Sequence, residues 1–240
     1  MNEQGKPPGL INWTGYLALT LLLVLPLSIL TVRSGAWQQG LMLYAIACFG
    51  SALLVILSLA LLLLPRFAGW RKGIALRALP VLPGTLLLLS VLSAGDAPRI
   101  HDITTDTADP ATFSMAVQQR GAGSNSLDID QDVILQQREA YPNLQTLSSA
   151  QSYDDAYNRA VQVTTELGWE IYHEDRNAGV IEAVDTTAVM AFKDDIVIRV
   201  RTSAQGSLVD LRSVSRVGEG DLGANAKRIR AFYEAFQQQE

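Results

Sequence analysis

Several polar side chains in the C-terminal half of the chain are of types that bind anions. Arginine donates paired hydrogen bonds to phosphate or carboxylate groups, and Gly218 and Gly220 precede a predicted helix whose first backbone N–H groups are additional donors. Glu219 and Asp221 place negative charge at the same helix end, which favours a structural role for the glycines. The candidate residues of an anion or ligand site are Arg99, Arg199, Arg212, Arg216 and Asn225.

Three residues near the start of this half have side chains that ligate divalent metals, namely His101, Asp102 and Asp106. A protein metal site usually needs a third or fourth ligand from elsewhere, and His173 is the only other histidine. Turn hydrogen bonds of Asp and Thr side chains explain the same stretch. We therefore expect no metal ion and no cofactor, with these three residues as the remaining metal candidates.

No catalytic motif is recognisable in the chain. Ser213 and Ser215 lie beside arginines, but a nucleophilic serine needs a base within hydrogen-bond reach, and there is no G-x-S-x-G sequence. We expect a protein that is not an enzyme. The second hypothesis is an enzyme or ligand-binding domain that acts on an anionic molecule through the arginines above.

The charges divide the chain into two parts. Residues 1–95 contain six basic residues and one acidic residue, whereas residues 96–240 contain thirteen basic and twenty-three acidic residues. The second part therefore has a net charge of −10, which repels polyanions and argues against nucleic acid as a partner. Cys48 is the only cysteine, so there is no disulfide framework.

Three apolar stretches in the first part are long enough to cross a bilayer. We predict transmembrane helices at about residues 12–32, 41–64 and 78–95, because a helix rises about 1.5 Å per residue and the hydrocarbon layer is about 30 Å thick. The third helix contains Pro80 and Pro83 near its start, where proline is tolerated. Residues 1–95 are thus a membrane region, and residues 96–240 a soluble domain.

The basic residues predict the orientation. The connection between the first two helices contains only Arg33, whereas the next connection contains four basic residues and should lie in the cytoplasm. We expect a multi-pass protein of the bacterial inner membrane, with a cytoplasmic N-terminus and a periplasmic C-terminal domain. A cleaved signal peptide is the alternative for the first segment, but no convincing A-x-A site follows it. The four basic residues are Arg66, Arg71, Lys72 and Arg77.

The soluble part has the pattern of a small α+β domain. After a loop-rich lead-in to about residue 150, apolar residues from Tyr153 to Leu167 recur at helical spacing behind Ser152, which can cap the helix. Strand-like runs follow near 169–174, 179–187, 195–203 and 208–217, and a second helix near 222–237. We predict a four-stranded antiparallel sheet covered by two helices.

The last two strands allow a register to be predicted. Ile196, Ile198 and Val200 alternate with polar residues and should face the core. A four-residue loop from Ala204 to Ser207 gives three charged pairs on the other face. These pairs are Arg201 with Asp210, Asp195 with Arg216, and Arg199 with Arg212. The third pair is repulsive unless it is neutralised by Glu182 or by a bound anion.

The domain also resembles a known family. The resemblance rests on residues 98–106 (PRIHDITTD), 141–142 (YP), 168–169 (GW), 194–200 (DDIVIRV), 210–218 (DLRSVSRVG) and 221–226 (DLGANA). Together they are similar to the uncharacterised bacterial and plastid family called domain of unknown function 1499, with the membrane region as an addition. The resemblance implies domain boundaries but no activity. We expect an envelope binding or interaction module whose partners are the lipid bilayer and other envelope proteins.

Overall fold

The structure, a computed structural model, describes residues 7–93 and 97–238. The chain forms two compact units, residues 1–95 and residues 96–240. Each unit has its own buried apolar residues, and each is described by itself below.

The first unit is helical. Three of its helical segments are long and apolar enough to cross a membrane, Gly9–Arg33, Trp37–Leu63 and Pro65–Leu92, which agrees with the predicted number of spans. The third begins well before the predicted 78–95, and residues 94–95 of that prediction lie outside the described residues. The third is interrupted by short 3-10 turns at Pro65–Trp70 and Leu79–Val81. The α-helices are α1 (Gly9–Arg33), α2 (Trp37–Leu63), α3 (Arg71–Ala78) and α4 (Leu82–Leu92).

The segment between α2 and α4 differs from the sequence prediction. It was expected to be a loop, but its four basic residues lie in the first 3-10 turn and in α3. Pro65 is at the first position of that turn, where its missing N–H costs nothing. Because α4 has only 11 residues, or about 16 Å, the helical segment before it is needed to make a span.

The second unit is built on one antiparallel sheet. Its strand order is β1-β6-β5-β4-β3, and β2 pairs with β6 beside β1. The strands are β1 (Asp102–Thr104), β2 (Leu147–Ser149), β3 (Glu170–Asp175), β4 (Val180–Thr186), β5 (Lys193–Ser203) and β6 (Gly206–Ser215). The helices are α5 (Ala116–Gln119), α6 (Gln131–Ala140), α7 (Tyr153–Glu166) and α8 (Ala224–Gln237).

The sheet therefore has six strands rather than the predicted four. The two additional strands come from the lead-in, and each has three residues. A three-residue strand is too short to show an alternating pattern, so period-2 analysis cannot detect it. The lead-in also contains α5 and α6, which the prediction treated as loop.

One apolar core contains residues of the sheet and of the two longest helices of this unit. Ile196, Ile198 and Val200 of β5 belong to it, which confirms the predicted alternation. Ser152 caps α7 as predicted, because its hydroxyl accepts a hydrogen bond from the Asp155 N–H at 3.2 Å. The helical residues of this core are Ala156, Tyr157, Ala160, Val163, Ala226, Ile229, Phe232 and Phe236.

The predicted register of β5 and β6 is wrong by two residues. The hairpin turn contains only Ala204 and Gln205, so Ser203 pairs with Gly206. Gly206 has φ 138°, and a Cβ atom there would collide with the carbonyl oxygen of Ser149. A two-residue shift leaves every side chain on the predicted face but changes its cross-strand partner. Arg199 therefore lies opposite Asp210, and Arg212 lies opposite Val197. Two of the predicted ion pairs still form, because Arg201 contacts Asp210 and Arg216 contacts Asp195 diagonally across the strands.

Candidate functional site

The sheet face opposite the core is rich in charged side chains. We call it the charged face, and it comprises Glu182 of β4, Asp195, Arg199 and Arg201 of β5, and Asp210 and Arg212 of β6. Residues of the lead-in between positions 102 and 127 contact these side chains. The face is consequently an interior layer over much of its area, with Glu182, Asp195 and Asp210 fully buried.

Asp210 joins two arginines of β5. Arg199 is its cross-strand partner, and the Arg199 Nη2 and Arg201 Nη2 atoms donate to Asp210 Oδ2 at 3.2 and 2.6 Å. Asp106 of the lead-in receives a second hydrogen bond from Arg201, at 3.0 Å. Asp109 binds Arg199 Nη1 at 3.0 Å. The repulsive pair of Arg199 and Arg212 expected from the sequence does not form, since Arg212 pairs with Val197 across the strands.

Arg212 is held in a site of its own. Its Nε and Nη2 atoms donate to the two carboxylate oxygens of Asp102 at 3.0 and 2.6 Å. The same guanidinium donates to the carbonyl oxygens of Leu127 and Ala111 and lies 5.5 Å from the ring centre of Phe113. With 1% of its surface exposed, Arg212 has little donor capacity left for a ligand.

Asp195 forms ion pairs with two further arginines, of which only Arg216 donates hydrogen bonds to it. Arg216 binds both of its oxygens, at 2.9 and 2.7 Å, and Arg120 Nη1 lies 3.1 Å from Oδ2. The hydroxyl of Tyr172 donates to Oδ1 at 3.5 Å. Burial, together with the charges of Asp195 and Glu182, raises the pKa of Tyr172 above its usual range. Burial lowers the pKa of Arg120. Tyr172 is therefore a neutral donor here and not an acid of catalytic strength.

Glu182 is bound by backbone donors instead of by an arginine. The N–H groups of Met115 and Ala116 donate to its Oε2 at 3.1 and 2.8 Å, and the Ser114 N–H donates to Oε1 at 2.6 Å. The Ser114 hydroxyl donates to the same Oε1. The Met115 N–H is shared between both carboxylate oxygens, since it also lies 3.1 Å from Oε1. This carboxylate thus fastens the lead-in to β4 and does not neutralise Arg199 or Arg212.

The charges of this layer nearly balance. Among the described residues, five arginines and six carboxylates meet there, and Glu182 is the carboxylate that backbone N–H groups satisfy. Each arginine has a carboxylate within 4.0 Å. The arginines are Arg120, Arg199, Arg201, Arg212 and Arg216, and the carboxylates are Asp102, Asp106, Asp109, Glu182, Asp195 and Asp210.

The other two residues of the predicted anion site lie elsewhere. Asn225 is buried on the core side of the sheet, where its amide contacts Ser213, Ser215 and the carbonyl oxygen of His101. Arg99 is exposed and pairs with Glu219 at 3.1 Å. The structure therefore brings Arg199, Arg212 and Arg216 to one face, each with a different aspartate.

Arg228 of α8 is buried beside Asn225. Its Nη2 donates to Asp194 at 2.6 Å and its Nε to Asp185 at 2.9 Å. Its Nη1 donates to Asn225 Oδ1 at 2.6 Å. α8 begins at Ala224, two residues later than predicted, and Leu222 lies before it with φ 54° and an exposed side chain. α8 thus contributes Arg228 to an internal ion-pair network with Asp185 and Asp194.

The metal candidates have other roles in the described residues. Asp102 binds Arg212, and Asp106 accepts hydrogen bonds from the Ala108 and Asp109 N–H groups at 3.1 and 2.9 Å. Within the described ranges, no group of three or more His, Cys, Asp or Glu residues is placed to hold a metal ion. His101 and Asp102 instead form part of the wall of a cleft.

We call this cleft the His101 cleft, and it adjoins the charged face through Asp102, which binds Arg212. It has a volume of about 440 Å³. The imidazole of His101 is half-buried and makes no hydrogen bond to another described residue, whereas Ser126 donates to Asp128 at 2.8 Å and Asp130 caps α6. The lining residues are His101, Asp102, Asn125, Ser126, Asp128, Ile129, Asp130, Gln131 and Val133.

Sequence reasoning missed several residues that build this site. Arg120, Asn125 and Gln137 were not singled out, although Gln137 binds both the N–H and the carbonyl oxygen of Thr104 from α6. The available signal was the number of aspartates in the lead-in, which face arginines about 90 to 110 residues later in the chain. The prediction treated the lead-in as loop and did not place it against the sheet, so these pairs were missed.

Three candidate membrane helices followed by an antiparallel sheet domain define the class of this protein. The chain belongs to the family described as protein of unknown function (DUF1499), whose model matches residues 102–236, more than half of the chain. No curated protein matches the chain. The family match begins at Asp102, within β1, and ends in α8, so it covers the whole sheet.

Proposed function

We propose that the chain is a bacterial inner-membrane protein with a cytoplasmic N-terminus and a periplasmic C-terminal domain. The position of the basic residues supports this orientation. Arg77 donates to Asn12 Oδ1 at 3.2 Å, so α3 lies beside the start of α1. Ile11, Leu61 and Phe67 form one buried cluster at the same end of the unit. Four cations therefore gather where α1 begins and α2 ends, and this end is expected in the cytoplasm.

A pair of reporter fusions tests the orientation. Alkaline phosphatase, which becomes active in the periplasm, and a green fluorescent protein, which fluoresces in the cytoplasm, are each joined after Glu240 of the full chain. We expect phosphatase activity without fluorescence. A fluorescent fusion with inactive phosphatase would contradict the proposed topology. As a control, replacing the four basic residues by glutamine should reduce the difference between the two reporters, because it removes most of the charge asymmetry.

We propose that the second unit is a non-enzymatic binding or interaction module, in which α7 and α8 cover the core side of the sheet. The supporting observation is that the arginines of the charged face are already paired with carboxylates. An anion would have to displace those carboxylates, which leaves buried charges without partners and costs several kcal/mol. The His101 cleft, in contrast, has polar atoms that are open to a ligand.

The walls of the cleft favour a neutral, hydroxyl-rich group or a cationic group over an anion. Aspartate and asparagine oxygens accept hydrogen bonds from hydroxyl or ammonium groups, and Asp128 and Asp130 give the rim negative charge. The alternative function, an enzyme or ligand-binding domain for an anionic envelope molecule, uses Arg99 and the arginines of the charged face. This alternative requires the ion pairs between these arginines and their aspartates to break before the anion can bind.

A thermal-shift screen of the full chain in detergent separates the two functions. The panel contains glycan fragments, polyamines, inorganic phosphate and lipid head groups, each against the wild type and two tryptophan variants. Ser126→Trp fills the mouth of the cleft, and Lys227→Trp on the exposed side of α8 is the matched control. We expect a saccharide or polyamine shift that only the first variant loses. Arg199→Gln is added to the panel for the alternative function. An increase in melting temperature with inorganic phosphate alone, absent in Arg199→Gln, would favour that alternative.

A further inference from the structure

The first unit contains a groove between α1 and α3 that no part of the proposed function uses. We call it the Arg77 groove. It has a volume of about 250 Å³ and is open on one side. Its lining residues are Asn12, Gly15, Tyr16, Leu19, Leu76, Arg77 and Pro80. Polar groups are thus combined with an apolar wall in a unit that is otherwise almost entirely apolar.

Arg77 lies across this groove against the backbone of α1. A Cβ atom at Gly15 would be 3.0 Å from Arg77 Cγ, so glycine at this position lets the arginine stem approach α1 closely. The guanidinium donates to Asn12 Oδ1 at 3.2 Å and to the Gly73 carbonyl oxygen at 3.1 Å. These two acceptors are neutral, and they leave other N–H groups of the guanidinium available.

The charge of Arg77 has no carboxylate to balance it in the described part of this unit. Residues 7–93 contain no aspartate or glutamate at all. A half-buried arginine without a counter-charge is unfavourable in a medium of low dielectric constant. Since residues 7–93 supply no anion there, an anion from the surroundings would provide the counter-charge. At the edge of a bilayer, the abundant anion is the phosphate group of a phospholipid.

The shape of the groove fits such a molecule. Tyr16 and Arg77 provide hydroxyl and guanidinium donors, and Leu19, Leu76 and Pro80 provide an apolar wall beside them. Leu76 and Tyr16 are mostly exposed on the surface of the unit, where lipid would contact them. A phosphate in the groove could accept hydrogen bonds from Arg77 and Tyr16, while an acyl chain of the same lipid packs against the apolar wall.

We propose that the Arg77 groove binds one anionic phospholipid, with the phosphate on the Arg77 guanidinium and an acyl chain along Leu19 and Leu76. The net positive charge of this unit favours an anionic head group over a zwitterionic one. The proposal rests on membrane insertion of the three helices, which is part of the proposed function, but not on their orientation.

The test is lipid titration of the purified full chain in detergent, with bound lipid counted by native mass spectrometry. The probes are phosphatidylglycerol and phosphatidylcholine with identical acyl chains. We expect one tightly bound phosphatidylglycerol, and a five- to tenfold weaker affinity in Arg77→Gln, roughly the contribution of one cation near an anionic head group. Arg66→Gln is the matched control, because Arg66 is exposed, lies on the Phe67 ring and is outside the groove.

Three results would overturn the proposal. One is equal phosphatidylglycerol binding by Arg77→Gln and the wild type, and another is an equal loss in Arg66→Gln, which would indicate net charge alone. The third is complete displacement of the lipid by inorganic phosphate, which would indicate a free-anion site. Leu76→Trp keeps the test valid if Arg77→Gln misfolds, because it blocks the groove from its exposed side and should also weaken binding. The reporter fusions give an independent result on orientation.

Discussion

Replacing Glu182 by glutamine should release the lead-in from the charged face. In the wild type, Oε1 accepts from the Ser114 N–H and hydroxyl, and Oε2 accepts from the Met115 and Ala116 N–H groups. A glutamine keeps the shape but places an NH2 group at one of these two positions. Two donors then lose their acceptor, and the buried NH2 group has none.

The magnitude follows from these unpaired groups. A buried polar group without a partner costs about 1–3 kcal/mol, and hydrogen bonds to a charged acceptor are worth about 1.5–3 kcal/mol each. Taking the lower limits for one strong hydrogen bond and one unpaired group gives about 2.5 kcal/mol. Because about 1.4 kcal/mol is a factor of ten, local opening of the lead-in should become roughly a hundredfold more frequent in Glu182→Gln.

Amide hydrogen exchange measured by mass spectrometry checks this directly. Peptides that contain Ser114, Met115 and Ala116 should exchange roughly a hundred times faster in Glu182→Gln, while peptides from α7 keep their wild-type rates. Ser114→Ala is the control, since it removes only the hydroxyl donor, adds no buried NH2 group without a partner, and should therefore accelerate exchange less than Glu182→Gln does. Unchanged exchange at residues 114–116 in the glutamine variant would refute the reasoning, as would an equal acceleration across the whole second unit.

Two further changes test the attachment of the lead-in. Gln137→Ala leaves the buried Thr104 N–H and carbonyl oxygen without partners, so the free energy of unfolding should fall by about 2–4 kcal/mol in denaturant titration, against little change in the exposed control Gln136→Ala. Burial alone would raise the pKa of Asp106, but hydrogen bonds from backbone N–H groups and from Arg201 outweigh it and hold that pKa below 3.8. The ionised Asp106 carboxylate therefore contributes its full stabilisation of the fold above pH 3.8, and this contribution is lost as the pH falls through the lowered pKa of the folded state. Asp106→Asn should consequently destabilise the domain at neutral pH and approach the stability of the wild type in strong acid. A stability difference independent of pH would contradict this.

The parts of the fold that the sequence predicts well are those with a repeated local pattern. The three spans follow from apolar length, and α7 from its stripe of apolar residues behind Ser152. The alternation of Ile196, Ile198 and Val200 correctly predicts which side of β5 faces the core. These signals depend on periods of 3.6 or 2 residues within one element, and they do not require knowledge of any partner.

The parts that the sequence does not predict depend on turn length or on distant contacts. Gly206 fits inside a four-residue turn and equally fits directly after a two-residue turn, and the choice between them shifts every pair of β5 and β6 by two positions. The strands β1 and β2 form only because β6 offers its outer edge to them. Gln137 completes the pairing of β1 from a helix, which no local pattern can indicate.

The anion site expected from the arginines illustrates the consequence. An arginine on a sheet suggests an anion site only when no carboxylate lies near it. Some of these carboxylates are on the neighbouring strand and depend on the register, and the others are on the lead-in that covers the face. Arg199 receives Asp210 from the corrected register and Asp109 from the lead-in, and Arg212 receives Asp102 from β1. The lead-in is thus both the cover and the source of counter-charge for the charged face. Arg77 differs because its unit contains no acidic residue in the described range. Arg212 needs no external anion, since Asp102 balances its charge, whereas Arg77 has no such carboxylate, and this difference is the basis for proposing a lipid phosphate there.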